Sequence, residues 1–243
     1  MLRRVMISAW ALMLASVVCF AQGTAVTGKV EFVENGKHPG AKIFPSTVVW
    51  LMPVSAAHAD LTRALPDPAS RLQLVQKNKS FSPHLLVVPV GTAVEFPNHD
   101  PFFHNVFSLF EGKKFDLGLY EAGSARFVHF DRPGISYIFC NIHPQMSAVV
   151  IAVTTRLYAI SGPAGEIRIP DVPYGAYILH AWSERALPEA LQSVTREITI
   201  SPENATLGTI QLVATSTSVL AHKNKYGRDY DDPTPSSSIY PQP

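Results

Sequence analysis

The sequence predicts an all-β protein made of two consecutive sandwiches. Short runs rich in β-branched and aromatic residues recur along the 243-residue chain and are broken repeatedly by its 20 Pro and 14 Gly, the pattern of strands joined by turns. The stretch Ala125-Arg126-Phe127-Val128-His129-Phe130 alternates apolar and polar residues, as a strand with one wet face does. Two such sheets bury their apolar faces against each other.

The elements follow in order. Arg3-Arg4 and the apolar run 5–18, closed by Cys19-Phe20-Ala21, predict a secretory signal peptide over 1–21 that is too short for a membrane span. The first sandwich is expected over 22–153. Its strands are expected at 26–33, 47–51, 72–76, 85–88, 92–96, 105–108, 126–130, 135–140 and 148–153, with turns at Val90-Gly91 and Arg132-Pro133-Gly134. Residues 53–71, rich in Ala, Pro and Asp, read as a surface loop with one helical turn, an insertion of a kind that loop-closure entropy tolerates. Lys113 and Lys114, beside Glu111 and Asp116, read as part of an exposed loop. The second, smaller sandwich is expected over 154–215. Its first two strands flank the turn Pro173-Tyr174-Gly175, and further strands lie at 194–200 and 207–213. The polar, Pro-rich residues 216–243 are expected to form a disordered tail.

Charge and cysteine content limit the function. With 20 basic and 19 acidic residues the formal charge is +1, so nothing calls for a nucleic-acid partner or a polybasic membrane patch. The two cysteines are Cys19 and Cys140, and removal of the leader leaves Cys140 alone. No intramolecular disulfide is then available. A solitary thiol in an oxidising compartment needs protection, and ligation to a metal gives it. The expected location is periplasmic or secreted.

The chemistry is concentrated in Cys140-Asn-Ile-His143-Pro-Gln-Met146 together with His104-Asn105-Val106 upstream. These offer one thiolate, two imidazoles and one thioether, the donor set of a mononuclear type 1 copper site: Cys and two His in a plane, Met as a weak axial ligand. Cys and His also suit zinc, and it is Met146 that argues for copper. Three of the four donors lie in a short loop between two expected strands. His104, after the turn Pro97-Asn98-His99-Asp100-Pro101, can join them only through tertiary folding. The other seven histidines lack such company, with His99 the nearest to the set.

The spacing Cys-x-x-His-x-x-Met, with Pro directly after His, resembles the short ligand loop of amicyanin, and the region 26–153 resembles the plastocyanin and amicyanin kind of cupredoxin. The resemblance implies a Greek-key β-sandwich with one type 1 copper ion held by His104, Cys140, His143 and Met146. It further implies that Asn105 ties the two ligand-bearing segments together and that His143 faces solvent as the route for electrons. The stretch 165–182 resembles the transthyretin-like sandwiches of the carboxypeptidase regulatory-like kind, which usually serve as structural or docking modules.

The resulting expectation is an exported copper protein that carries single electrons between a redox donor and an acceptor, such as a cytochrome or a dehydrogenase. Pro101, Phe102, Phe103 and Pro144 are expected to form an apolar docking collar. A copper enzyme would need further His clusters, which the chain lacks, so no catalytic residue is assigned. A periplasmic copper-delivery protein is the alternative, and a metal-free binding module the last possibility.

Overall fold

A computed structural model describes residues 23–33, 45–55, 72–109, 111–214 and 223–230. The expected signal peptide and most of the 53–71 loop lie outside the described residues. The fold is all-β, as expected, with one short helix among the described residues. The strands are β1 (Gly23–Val33), β2 (Thr47–Pro53), β3 (Val75–Lys77), β4 (Ser80–Ser82), β5 (Leu85–Pro89), β6 (Thr92–Pro97), β7 (His104–Ser108) and β8 (Phe115–Tyr120). They continue as β9 (Ala125–Phe130), β10 (Gly134–Phe139), β11 (Ser147–Val153), β12 (Tyr158–Ile160), β13 (Glu166–Pro173), β14 (Gly175–Ser183), β15 (Arg196–Ile200) and β16 (Thr206–Val213), with helix α1 at Pro188–Val194.

Strand pairing sets the domain organisation, and it corrects the expected boundary. β1 pairs with β13 and, in parallel, with β16, while β2 pairs with β12 and β14. The two N-terminal strands therefore belong to the second sandwich rather than to the first. The unit that carries the Cys and His donors runs from residue 72 to 153 and is inserted between β2 and β12. It pairs β5-β11-β10-β7-β8 in one sheet, with the ribbons β6-β9 and β3-β4 as separate two-stranded sheets.

Period-2 alternation explains how the sheets stack. In β2, Val49 and Leu51 enter one apolar cluster, with Val26, Phe32, Ile169 and Leu179, whereas Val48 and Trp50 enter another. In β11, Val149, Ile151 and Val153 join that second cluster with Trp182, while Ala148 and Val150 face a third, which contains Phe96, Phe130, Cys140 and Met146. The sheets of the two units are thus packed face to face through an apolar layer. Each fully buried aliphatic side chain there contributes about 1.5–3 kcal/mol.

Glu111 to Lys114 form an irregular segment before β8, as expected, while Asp116 lies within β8, which pairs with β7; Lys113 bonds Asp131 at 2.8 Å. One further expectation is corrected. Residues 223–230, assigned to a disordered tail, form a turn closed by the Asn224 backbone N–H on the Arg228 carbonyl at 2.8 Å and the Gly227 N–H on the Asn224 carbonyl at 2.9 Å. Enough of the segment's polar groups are satisfied, internally and on the neighbouring loop, to outweigh its polar composition.

Candidate metal centre

Three of the expected ligands converge. β7 begins at His104 and pairs with β10 at Phe107 and Phe139, which brings His104 beside the residue that follows β10, Cys140. The loop then folds back: the Cys140 N–H bonds the Met146 carbonyl at 3.3 Å and the Met146 N–H bonds the His143 carbonyl at 3.0 Å. Cys140 Sγ lies 3.7 Å from His104 Nδ1 and 3.6 Å from His143 Nδ1, and the three donor atoms all lie within 4.8 Å of one another. An ion bound to sulfur at about 2.3 Å and to imidazole nitrogen at about 2.0 Å, at tetrahedral to trigonal angles, would hold sulfur and nitrogen about 3.6 Å apart. The donor set therefore fits a single metal ion. Met146 directly precedes β11 and is fully buried in the same apolar cluster as Cys140.

Neighbouring groups prepare these donors. His104 Nε2–H donates to Asp100 Oδ2 at 2.8 Å. That bond places the proton on Nε2 and leaves the Nδ1 lone pair facing Cys140, the usual way in which an outer carboxylate orients a metal-binding histidine. Asp100 is held in turn by the backbone N–H groups of Asn78 at 2.6 Å and Lys79 at 2.9 Å. Burial lowers the His104 pKa although Asp100 opposes it. Burial, then the neighbouring His104 ring and the Lys79 ammonium, push His143 down to about 4. Both imidazoles are accordingly neutral near pH 7, the form that binds metal. Burial raises the Cys140 thiol, while the backbone N–H groups of Asn105, Ile142 and His143 favour its thiolate.

The other expected site residues divide. The Asn105 backbone faces the Cys140 sulfur, which links the two ligand-bearing segments. Its side chain, also buried, reaches β8: Nδ2 donates to Asp116 Oδ1 at 2.7 Å, and the buried Oδ1 accepts no hydrogen bond among the described residues. Phe102 packs against both imidazoles, its ring centre 5.2 Å from that of His104 and 5.6 Å from that of His143, while the two imidazole centres are 4.9 Å apart. Phe103 is 47% exposed and Ile142 39%, and Pro144 is also exposed. Of the expected collar, Pro101, Phe103 and Pro144 are thus exposed, while Phe102 is half-buried against the imidazoles. His99 is exposed and outside the donor group. Sequence reasoning missed Asp100, Asp116, Lys225 and Tyr230. For Asp100, its position four residues before His104 in a Pro- and Asn-bounded turn was the available signal.

No family model and no curated protein matches the chain. Among solved structures, a copper-containing nitrite reductase from Thermus scotoductus SA-01 is similar at 26% identity over 34% of this chain and 22% of that one, with a TM-score of 0.33. The chain thus spans about a fifth of that enzyme's length. A purple cupredoxin from Nitrosopumilus maritimus is similar at 26% identity over 33% of this chain and 98% of that one, TM-score 0.31. Amicyanin from Paracoccus versutus gives 22% identity, 35% and 83% coverage, and a TM-score of 0.31. No helix among the described residues is long and apolar enough to cross a membrane.

Proposed function

We propose that this chain is an exported electron carrier holding one type 1 copper ion at His104, Cys140, His143 and Met146. The observation that carries the reading is the meeting of one thiolate and two Nδ1 atoms at 3.6–3.7 Å, with a buried thioether from the same loop. A sulfur and imidazole shell suits both Cu(I) and Cu(II), so when bound the ion supplies one-electron exchange between those states. The protein's own contribution is rigidity. Asp100 holds the His104 ring in place, three backbone N–H groups cradle the Cys140 sulfur, and Phe102 packs against both imidazoles. Little has to move when an electron arrives.

His143 is the half-buried donor, and the exposed Phe103, Ile142 and Pro144 around it offer a small apolar surface to a donor or acceptor protein. Weak redox partners use such small interfaces and separate quickly. Phe103→Glu is expected to slow electron exchange with a partner by about tenfold while leaving the absorption spectrum intact, because the residue contacts the partner and not the metal; an unchanged rate refutes the docking role. No catalytic role is assigned to any residue.

A visible spectrum of the purified, copper-loaded protein tests the reading. An intense blue or purple thiolate charge-transfer band, lost in Cys140→Ser, is expected. Zinc retention without that band overturns the copper assignment. Reversible voltammetry then supports electron transfer, whereas rapid loss of copper to an acceptor protein favours delivery.

A further inference from the structure

Residues 223–230 return to the ligand loop from beyond the last strand of the outer sandwich. Their turn is internally organised: Asn224 Oδ1 accepts the backbone N–H groups of Tyr226 at 3.0 Å and Arg228 at 3.1 Å, and Gly227 takes the left-handed conformation at φ +74° that the tight return requires. From this turn three hydrogen bonds reach out. The Lys225 N–H donates to Asn141 Oδ1 at 2.9 Å, Lys225 Nζ donates to Asp116 Oδ2 at 2.8 Å, and the Tyr230 hydroxyl donates to the Cys140 carbonyl at 2.9 Å. They span 84, 109 and 90 residues of sequence.

The acceptors are what give these bonds meaning. Cys140 and Asn141 are the first residues of the loop that also carries His143 and Met146. Asp116, through its other oxygen, accepts Asn105 Nδ2 at 2.7 Å, and the Asn105 backbone N–H faces the Cys140 sulfur. The segment thus grips both the backbone of the thiolate residue and, through one carboxylate, a residue that faces its sulfur. The loop has few backbone bonds of its own, those from Cys140 and Met146, so outside ties decide how firmly its donors are placed. Groups that preset ligand positions lower the rearrangement needed when charge changes at the centre.

We propose that Lys225 and Tyr230 are positioning residues of the metal centre, and that 223–230 act as a strap that locks the 140–146 loop and Asn105 in their metal-binding arrangement. The inference rests on the reading of His104, Cys140 and His143 as a metal site. It goes beyond that reading by giving the end of the chain a role in how the centre is held.

The test uses the full chain and the substitutions Tyr230→Phe, Lys225→Met and both together, with Lys225→Arg as the conservative control. In the metal-free protein, amide exchange of 105 and 140–146 is expected to rise about tenfold in the double variant, the size expected when one or two net hydrogen bonds are lost, while β13 and β14 exchange as in the parent. In the copper-loaded protein, release to a chelator is expected to quicken about tenfold and the charge-transfer band to shift, with Lys225→Arg restoring parent behaviour. Tyr230→Phe, which removes only a hydroxyl, serves if the double variant does not fold. A parent that takes no copper overturns the site reading and the strap with it. A parent that binds copper, with variants that exchange, release and absorb as it does, overturns the strap alone.

Discussion

Asp100 decides which nitrogen of His104 is free, and the consequence can be measured. Burial pushes its carboxyl upward, but the N–H of Lys79, His104 Nε2–H and the N–H of Asn78 outweigh that and hold it below the usual carboxylate range. It is therefore an anion beside the donor set. Asp100→Asn keeps an acceptor for His104 but removes the charge. Metal affinity is expected to fall by about 10–100-fold, as for other groups that support a ligand from behind, and the midpoint potential to rise, because loss of a negative charge favours the less charged ion. Chelator competition and voltammetry check both. At this scale the nearness of Cys140 and His143 was legible because donor type and loop spacing are local properties of the chain, whereas His104, 36 residues upstream, was marked by its donor type alone. Lys225 and Tyr230 were not: their partners lie 84 to 109 residues away, and a polar, Pro-rich composition says nothing of what a Tyr hydroxyl will meet. Asn105 was legible as a neighbour of the sulfur, but the direction of its side chain depends on β8, a strand hidden behind a cluster of charges.

Most strands were legible as strands, since period-2 alternation and Pro or Gly breaks are written in each segment. Pairing was not, which is why β1 and β2 were assigned to the wrong sandwich: a strand's own pattern shows that one face is buried, not which sheet buries it. Helix α1 was missed because its seven residues are too short to display a period. Two glycines with positive φ, Gly112 before β8 and Gly118 within it, carry a sharper prediction. Gly112, at φ +72°, sits where an added Cβ would come within 2.5 Å of Ser136 Oγ and 2.7 Å of the Ile135 carbonyl oxygen. Gly118, at φ +67°, has nothing within 4 Å of that position. Gly118→Ala is expected to cost only the left-handed penalty of about 1–2 kcal/mol. Gly112→Ala must in addition displace the backbone of β10, so about 3–4 kcal/mol is expected. Because β10 leads into Cys140, Gly112→Ala should also disturb the charge-transfer band, and Gly118→Ala should leave it unchanged. Denaturant midpoints and absorption spectra of the two variants check the contrast.

At the scale of the molecule, the insertion of residues 72–153 between β2 and β12 means that the two sandwiches meet along a shared face, where Val149, Ile151 and Val153 pack with Val48 and Trp182. One polar clasp spans the edge of that layer. His84, just before β5, places Nε2 2.5 Å from Glu184 Oε2, just after β14, and Nδ1 3.1 Å from the Ser147 carbonyl, at the start of β11. Both partners are acceptors, so both ring nitrogens must carry protons and His84 is an imidazolium in this arrangement. The Glu184 hydrogen bond raises its pKa; burial opposes this, and the Glu184 charge and the Ser147 carbonyl add to the rise. A group whose pKa is higher folded than unfolded contributes stability that is fully present below the unfolded value, about 6.5, and disappears as pH climbs through the folded value. The clasp is half exposed on the His side, and solvent screening limits its worth to about 0.5–1 kcal/mol. The unfolding free energy from urea titration is therefore expected to decline by that amount from about pH 6 to about pH 9, lowering the urea midpoint accordingly, and His84→Gln should flatten this part of the profile. Since Ser147 directly follows Met146, opening the clasp should also lower amide protection at the start of β11 at the higher pH, beyond the intrinsic base-catalysed rise in exchange, in the parent and not in His84→Gln. A midpoint that holds level or rises over this range would show that the His84–Glu184 clasp contributes nothing to holding the two sandwiches together.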